Sequence, residues 1–141
     1  MKIVFVCTGN TCRSPMAEGI CRALLAERGI EDVICESCGL SAFAGMPATP
    51  YAITAAAEYG ADLSAHRSRA VTQYLLDEGD LFVCMTSAHA AALSAYVPDE
   101  KLRVLADEIP DPFGGTEADY RACAAAIHAG LLKLIEKDVA E

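Results

Sequence analysis

Cys7-Thr8-Gly9-Asn10-Thr11-Cys12-Arg13-Ser14 decides the reading of this chain. The stretch follows a short apolar run, Ile3-Val4-Phe5-Val6, and precedes Pro15 and a helix-like segment. A cysteine, five residues and then Arg-Ser, set between a strand and a helix, describe a phosphate-binding loop with its own nucleophile. Five residues can curl so that successive backbone N–H groups point inward around an oxyanion. The helix that follows adds its positive N-terminal end. Arg13 offers a planar fork for two phosphate oxygens. Cys7 lies at the floor of this positive field, which favours the sulfur anion and an in-line attack on phosphorus. Thr8, Gly9, Asn10, Thr11, Cys12 and Ser14 are then the candidate binding residues around Cys7 and Arg13. A Walker-type loop is excluded, since it needs Gly-Lys-Ser/Thr and carries no nucleophile. Taken alone, Cys7 would read as a small buried residue ending a core strand. Gly9, Asn10, Arg13, Ser14 and Pro15 at these spacings turn the reading to catalysis.

The 141 residues are enough for one domain, 1–141, with a continuous core. Hydrophobic residues make up 53%, a figure inflated by alanine. No apolar run approaches the ~20 residues of a membrane span. The apolar segment after Met1-Lys2 is too short for a signal peptide, so a cytoplasmic location is expected. Seven cysteines, an odd number without the paired spacing of a zinc site, point the same way. Cys21, Cys35, Cys38, Cys84 and Cys123 are expected to pack as small apolar residues, whereas Cys12 shares the loop of Cys7. The net charge of −9 disfavours nucleic acid and anionic membranes as partners. It is compatible with basic protein substrates, although an acidic surface by itself confers only solubility. No metal or other cofactor is implied, and a monomer is expected.

Strand and helix patterns alternate along the chain. Lys2 to Cys7 is apolar on both faces, as a central parallel strand should be. Ser14 and Pro15 are expected as N-cap and first residue of a helix running to about Arg28 and stopped by Gly29. Asp32 to Ser37, Asp80 to Met85 and Lys101 to Ala106 read as further strands. Helices are expected from Thr49-Pro50 to near Gly60, over Thr72 to Glu78, and over Ser87 to Tyr96. Thr116 and Asp119 form a capping box for a last helix with Tyr120, Ala124, Ile127, Leu131 and Leu134 on one stripe. This order predicts an α/β fold, a parallel sheet with helices on both faces. The phosphate loop falls at the C-terminal end of the first strand, where such folds place their ligand crevice.

The string Val6-Cys7-Thr8-Gly9-Asn10-Thr11-Cys12-Arg13-Ser14-Pro15-Met16-Ala17-Glu18 resembles the low-molecular-weight protein tyrosine phosphatase family. Ser37-Cys38-Gly39, His66-Arg67-Ser68-Arg69 and Asp111-Pro112 extend the resemblance over nearly the whole chain. The family implies a four-stranded parallel sheet and a two-step hydrolysis of phosphorylated protein side chains without metal. Carried onto these residues, Cys7 forms a phosphocysteine, and Arg13 with the N–H groups of residues 8–14 stabilises the equatorial oxygens. Ser14 donates to the Cys7 sulfur. Asp111 protonates the leaving group and then activates water; without the Cys7 loop it would read as a turn former before proline. Asn10 braces the loop, with Ser37 and His66 as candidate partners, although a surface role for His66 weighs about equally. His89 and His128 receive no role.

Thr11 departs from the tyrosine phosphatases, which usually carry a bulkier aliphatic residue there. Asp111-Pro112-Phe113-Gly114-Gly115 stands where they tend to show two tyrosines after Asp-Pro. Both features resemble the bacterial protein-arginine-phosphatase branch. A branched apolar side chain at position 11 would crowd a planar guanidinium, whereas threonine is smaller and brings a hydroxyl. Glycines at 114 and 115 remove an aromatic wall and leave Phe113, with Phe43 as a further candidate. A neutral loop substitution is the alternative reading of Thr11, and a tyrosine phosphatase is the alternative function. An arsenate reductase of this fold needs a late cysteine relay, and no cysteine lies between Met85 and Leu93. A cysteine phosphocarrier would need neither Arg13 nor Asp111. Cys12 is also a candidate redox partner that would trap oxidised Cys7 as a disulfide.

Overall fold

The apolar run behind the phosphate loop becomes the second strand in space of a four-stranded sheet. In the computed structural model, which describes residues 1–139, β1 spans Lys2–Cys7 and pairs in parallel with β2 (Ile34–Gly39) on one side and β3 (Leu81–Cys84) on the other. β4 (Leu102–Val104) adds to β3, giving the order β2-β1-β3-β4, all parallel. The last two residues of the expected 1–141 domain lie outside the described residues. A strand with neighbours on both sides and helices over both faces must be apolar throughout. Ile3, Val4, Phe5 and Val6 are fully buried, and Cys7 nearly so.

The alternation of β1 divides its side chains between two cores. Ile3, Phe5 and Cys7 join the larger core under α1 (Arg13–Glu27), α2 (Pro50–Ala57) and α5 (Glu117–Leu134). Val4 and Val6 face the smaller core with Leu75 of α3 (Gln73–Glu78) and Leu93 of α4 (Ser87–Leu93). The stripe expected on the last helix is the buried one, with Tyr120, Ala124, Ile127, Leu131 and Leu134 all in the larger core. Thr116 and Asp119 make both bonds of the capping box. The expectation that the cysteines lack paired spacing needs one correction: Cys35 and Cys38 are a Cys-x-x-Cys pair on β2, but they project to opposite faces and pack in different cores. All seven cysteines are buried and free.

Several boundaries differ from the sequence expectation. β2 starts at Ile34, two residues later than Asp32, because the connection after α1 consumes Arg28 to Val33; Gly29 turns with φ +68° and Ile30 N–H bonds back to Leu25. β4 is only three residues long, preceded by a 3₁₀ turn at Asp99–Lys101 and followed by left-handed Ala106. α4 ends at Leu93 rather than near Tyr96. The correction with most consequence lies at the start of α1. The helix begins at Arg13 with Cys12 as N-cap, and no side chain caps it. Ser14, expected to be the cap, turns its hydroxyl instead to the Cys7 sulfur at 2.9 Å. Pro15 is still tolerated, since N–H groups of the first turn have no helical partner.

Candidate active site

Residues 8–14 wrap the C-terminal end of β1, at the point where the sheet order reverses and a crevice opens. The N–H groups of Thr8, Gly9, Thr11 and Cys12 go to no protein acceptor among the described residues. The Asn10 N–H points back to Cys7 Sγ at 3.3 Å. To make this turn Asn10 adopts φ +57°, a left-handed conformation that asparagine tolerates better than most residues. Gly39, at the end of β2, lets the loop close: a Cβ there would stand 2.5 Å from Thr8 O and 3.0 Å from Asn10 N.

The strained residue is held by its side chain. Asn10 Nδ2 donates to Ser14 Oγ at 2.8 Å and to Ser37 Oγ at 3.0 Å, and Oδ1 accepts from Arg69 N at 2.9 Å. His66 Nε2 lies 2.8 Å from Asn10 O, so that nitrogen is the one carrying the proton. Ser37 gives its own hydrogen to Glu18 Oε1 at 2.5 Å. With Asn10 donating to Ser14, the Ser14 hydroxyl keeps its proton for the Cys7 sulfur, its other acceptor, Cys38 O, being farther at 3.4 Å. The chain of donors therefore has a direction, from Asn10 through Ser14 to sulfur.

Arg13 is 5% exposed, and its Nη1 donates to Ile109 O at 2.9 Å. Its Nη2 faces Asp111 Oδ2 at 3.7 Å. Asp111 also accepts from Phe113 N at 3.1 Å, so the turn-forming role and the position over the loop coexist in one carboxylate. A cavity of about 230 Å³ is lined by Cys7 to Arg13 together with Asp111 and Phe113. Thr11 faces this cavity, and its carbonyl accepts from Thr49 N at 3.0 Å. Cys12 points beneath the loop, with Sγ 3.3 Å from Tyr120 Oη and 3.5 Å from Thr49 Oγ1. Burial, helped by Cys12, pushes the Tyr120 hydroxyl up to about 12. Burial likewise takes the Cys38, Cys84 and Cys123 thiols up to about 12.

The structure thus brings Cys7, Arg13, Asp111, Thr8, Gly9, Asn10, Thr11, Cys12, Ser14 and Phe113 to one place, with Ser37 and His66 behind them. Phe43 stands apart: it is 82% exposed on the loop after β2 and does not line the cavity. The glycines at 114 and 115 have a local reason to be there. Gly114 turns with φ +79°, and a Cβ on Gly115 would meet the capping carboxylate of Asp119 at 2.5 Å. Sequence reasoning missed Glu18, Arg69, Tyr120 and His89. Glu18 carried a faint signal, lying one helical turn after Ser14, but its partner Ser37 comes from another strand. His89 of α4 is buried, and its Nε2 lies 2.9 Å from Thr8 Oγ1. Among the described residues no group of three or more His, Cys, Asp or Glu could hold a metal ion, and no helix is long and apolar enough to cross a membrane.

The chain resembles known proteins over most of its length. It is 34% identical to the protein-arginine-phosphatase of Bacillus subtilis over 86% of this chain and 85% of that protein. It is also 34% identical to the low molecular weight protein-tyrosine-phosphatase Wzb of Escherichia coli K12, over 85% and 83%. The solved low molecular weight protein tyrosine phosphatase of T. tengcongensis superposes with a TM-score of 0.90 at 36% identity, covering 97% of this chain and 99% of that one. Residues 2–141 match the low molecular weight phosphotyrosine protein phosphatase family, and with the cysteine loop at the end of β1 the chain belongs to that family of cysteine-based protein phosphatases.

Proposed function

We propose that this protein hydrolyses phosphorylated protein side chains through a phosphocysteine on Cys7, with phosphoarginine as the preferred substrate. The observation that supports the chemistry is the directed chain of donors ending on Cys7 Sγ, beneath a cavity that Arg13 and Asp111 close. Cys7 attacks phosphorus, and the bond to the leaving group breaks. The loop amides and the Arg13 guanidinium take up the charge on the three equatorial oxygens. Asp111 gives its proton to the departing atom, then accepts one from the water that attacks the phosphocysteine. Ser14 and the Asn10 N–H hold the sulfur as an anion before attack and ease its departure afterwards. The reaction needs no metal, because the loop and Arg13 carry the positive field.

Thr11 supports the arginine preference. Its side chain borders the cavity, where a hydroxyl suits a planar polar guanidinium and a larger aliphatic group would crowd it. The protonated Asp111 carboxyl can hydrogen-bond the guanidino nitrogen that carries the phosphate and pass it that proton as the bond to phosphorus breaks. Phe113 is then the aromatic wall of the cavity. The two glycines carry less of this argument, since turn geometry already requires them. Tyrosine phosphatases are as similar to the chain as arginine phosphatases, so the preference rests on the pocket. Turnover of phosphoarginine and phosphotyrosine peptides at equal concentration tests it. Thr11→Ile should depress phosphoarginine hydrolysis by roughly 10-fold while sparing or raising phosphotyrosine hydrolysis. Equal loss on both removes Thr11 as the selector.

Cys12 is proposed to protect Cys7. Once Cys7 is oxidised to a sulfenic acid, the Cys12 thiol displaces water and forms a disulfide, which an added thiol reopens. Peroxide inactivation should then be reversible in the parent protein and markedly less so in Cys12→Ala.

A further inference from the structure

His89 is a buried polar group for which the chemistry above has no task. It lies in the first turn of α4 and is 6% exposed. Its backbone N–H is capped by Thr86, so the helix start does not need the ring. The Nε2 atom lies 2.9 Å from Thr8 Oγ1, while Nδ1 meets no partner among the described residues. A polar atom buried without a partner is destabilising, and an apolar residue would occupy this position without that penalty. The one contact the imidazole gains in exchange is the Thr8 hydroxyl. Thr8 is exposed to the cavity over Cys7 that Arg13 and Asp111 also line.

We propose that His89 is a positioning residue for the reaction, a neutral imidazole that donates from Nε2 to Thr8 and so turns the Thr8 hydroxyl proton toward bound phosphate. In this tautomer Nδ1 buries a bare lone pair rather than an unpaired N–H. The hydroxyl of Thr8, its oxygen occupied by the imidazole, keeps its own proton for the cavity. The charged groups facing the ring are Arg13 of α1, and Asp111 and Glu108 of the segment after β4. Burial and then Arg13 hold the imidazole below its ordinary range, against the opposite pull of the two carboxylates. On acidification the ring gains a proton at Nδ1. That leaves a buried N–H without an acceptor and a second cation beside Arg13, so the inward position and its grip on Thr8 are lost.

The role rests on the phosphatase reading above, and the two fail in different ways. A parent protein that does not turn over p-nitrophenyl phosphate overturns both; the comparison of variants bears on His89 alone. T8V and H89L should each lower kcat/KM about 10-fold, and the double variant should lose no more than about 10-fold, because both changes delete one contact. H89Q, whose amide nitrogen reaches the same hydroxyl without titrating, should stay within about threefold of the parent at neutral pH. It should also lack an ionisation that the parent shows on the acid limb of kcat/KM. If the double variant loses the product of the two single losses, or if H89Q is as poor as H89L, the positioning role is overturned. Thr8 is exposed, so T8V tests the hydroxyl even if H89L does not fold. In that case an H89Q acid limb that superposes on the parent's overturns the proposal.

Discussion

The two loops that meet over the cavity are built in opposite ways. The loop at 7–14 is buried at its base, and its one left-handed residue, Asn10, is tied by three side-chain bonds and a histidine to Ser14, Ser37, Arg69 and His66. The loop at 109–115 is anchored by the Ile109 N–H on Met85 O and by Arg13 on Ile109 O. Beyond that anchor it runs exposed: the Asp111 side chain is 52% accessible and Phe113 70%. The contrast has a physical basis. An oxyanion site works by preorganised dipoles that must not relax, so its backbone is over-determined. An acid that serves a leaving group must meet whatever side chain carries the phosphate, so its surroundings are left open. On the proposed mechanism the first loop carries the nucleophile and the oxyanion site, and the second carries the acid that meets the leaving group.

The largest expected effect tests the first half of this division. Cys7→Ser should cost on the order of 10⁴-fold or more in kcat while the loop still binds inorganic phosphate as a competitive ligand. Asp111→Asn comes next, with a loss of about 10²–10⁴-fold on a poor leaving group. The loss should be much smaller on p-nitrophenyl phosphate, whose leaving group needs little protonation. If both substrates lose equally, the open loop is not where the leaving group is served, and the division fails.

Asn10→Ala probes the bracing rather than the chemistry. It removes the bonds to Ser14, Ser37 and Arg69 and leaves alanine at φ +57°. We expect a loss of about 2–4 kcal/mol in denaturant unfolding. A Phe113→Ala control in the exposed loop should change stability by less than about 0.5 kcal/mol. Comparable losses at the two positions would erase the contrast.

The smallest effect is in pH dependence. Burial and Arg13 lower the folded-state ionisation of His89 below its ordinary 6.5. Between the folded and unfolded values the unfolded chain binds more protons, so stability falls as the pH drops. This contribution is complete above about pH 6.5 and disappears as the pH passes down through the folded value. The Tm of H89Q should accordingly fall less than the parent's from pH 7 to pH 5. An identical fall in both proteins would mean that the ring titrates as if in water.

The legible parts of this protein are those whose physics is local in sequence. The run Ile3 to Cys7 had to be a strand buried on both faces, and Cys7 to Ser14 had to be a loop feeding a helix. The Thr116–Asp119 box announced the last helix, and alternating strands and helices announced a parallel sheet. Strand ends were less legible because register is set by the partner strand: β2 begins at Ile34 because Lys2 lies opposite it. Ser14 misled as a cap because the same residue type satisfies either a helix end or a sulfur, and only folding decides which is in reach.

Four chemically distinctive residues at 7, 9, 13 and 14 were enough by themselves to announce a cysteine loop of the phosphatase type at the C-terminal end of a central strand. They fall within eight consecutive residues, and a turn followed by a helix start has few alternatives. Folding alone decided what holds that loop. Glu18, Ser37, His66, Arg69 and His89 reach it from four separate elements or connections, across separations of up to 81 residues between Thr8 and His89. Hydrogen bonds at 2.5 to 3.0 Å form between whatever groups the packed sheet and helices bring together, and no spacing along the chain encodes that distance.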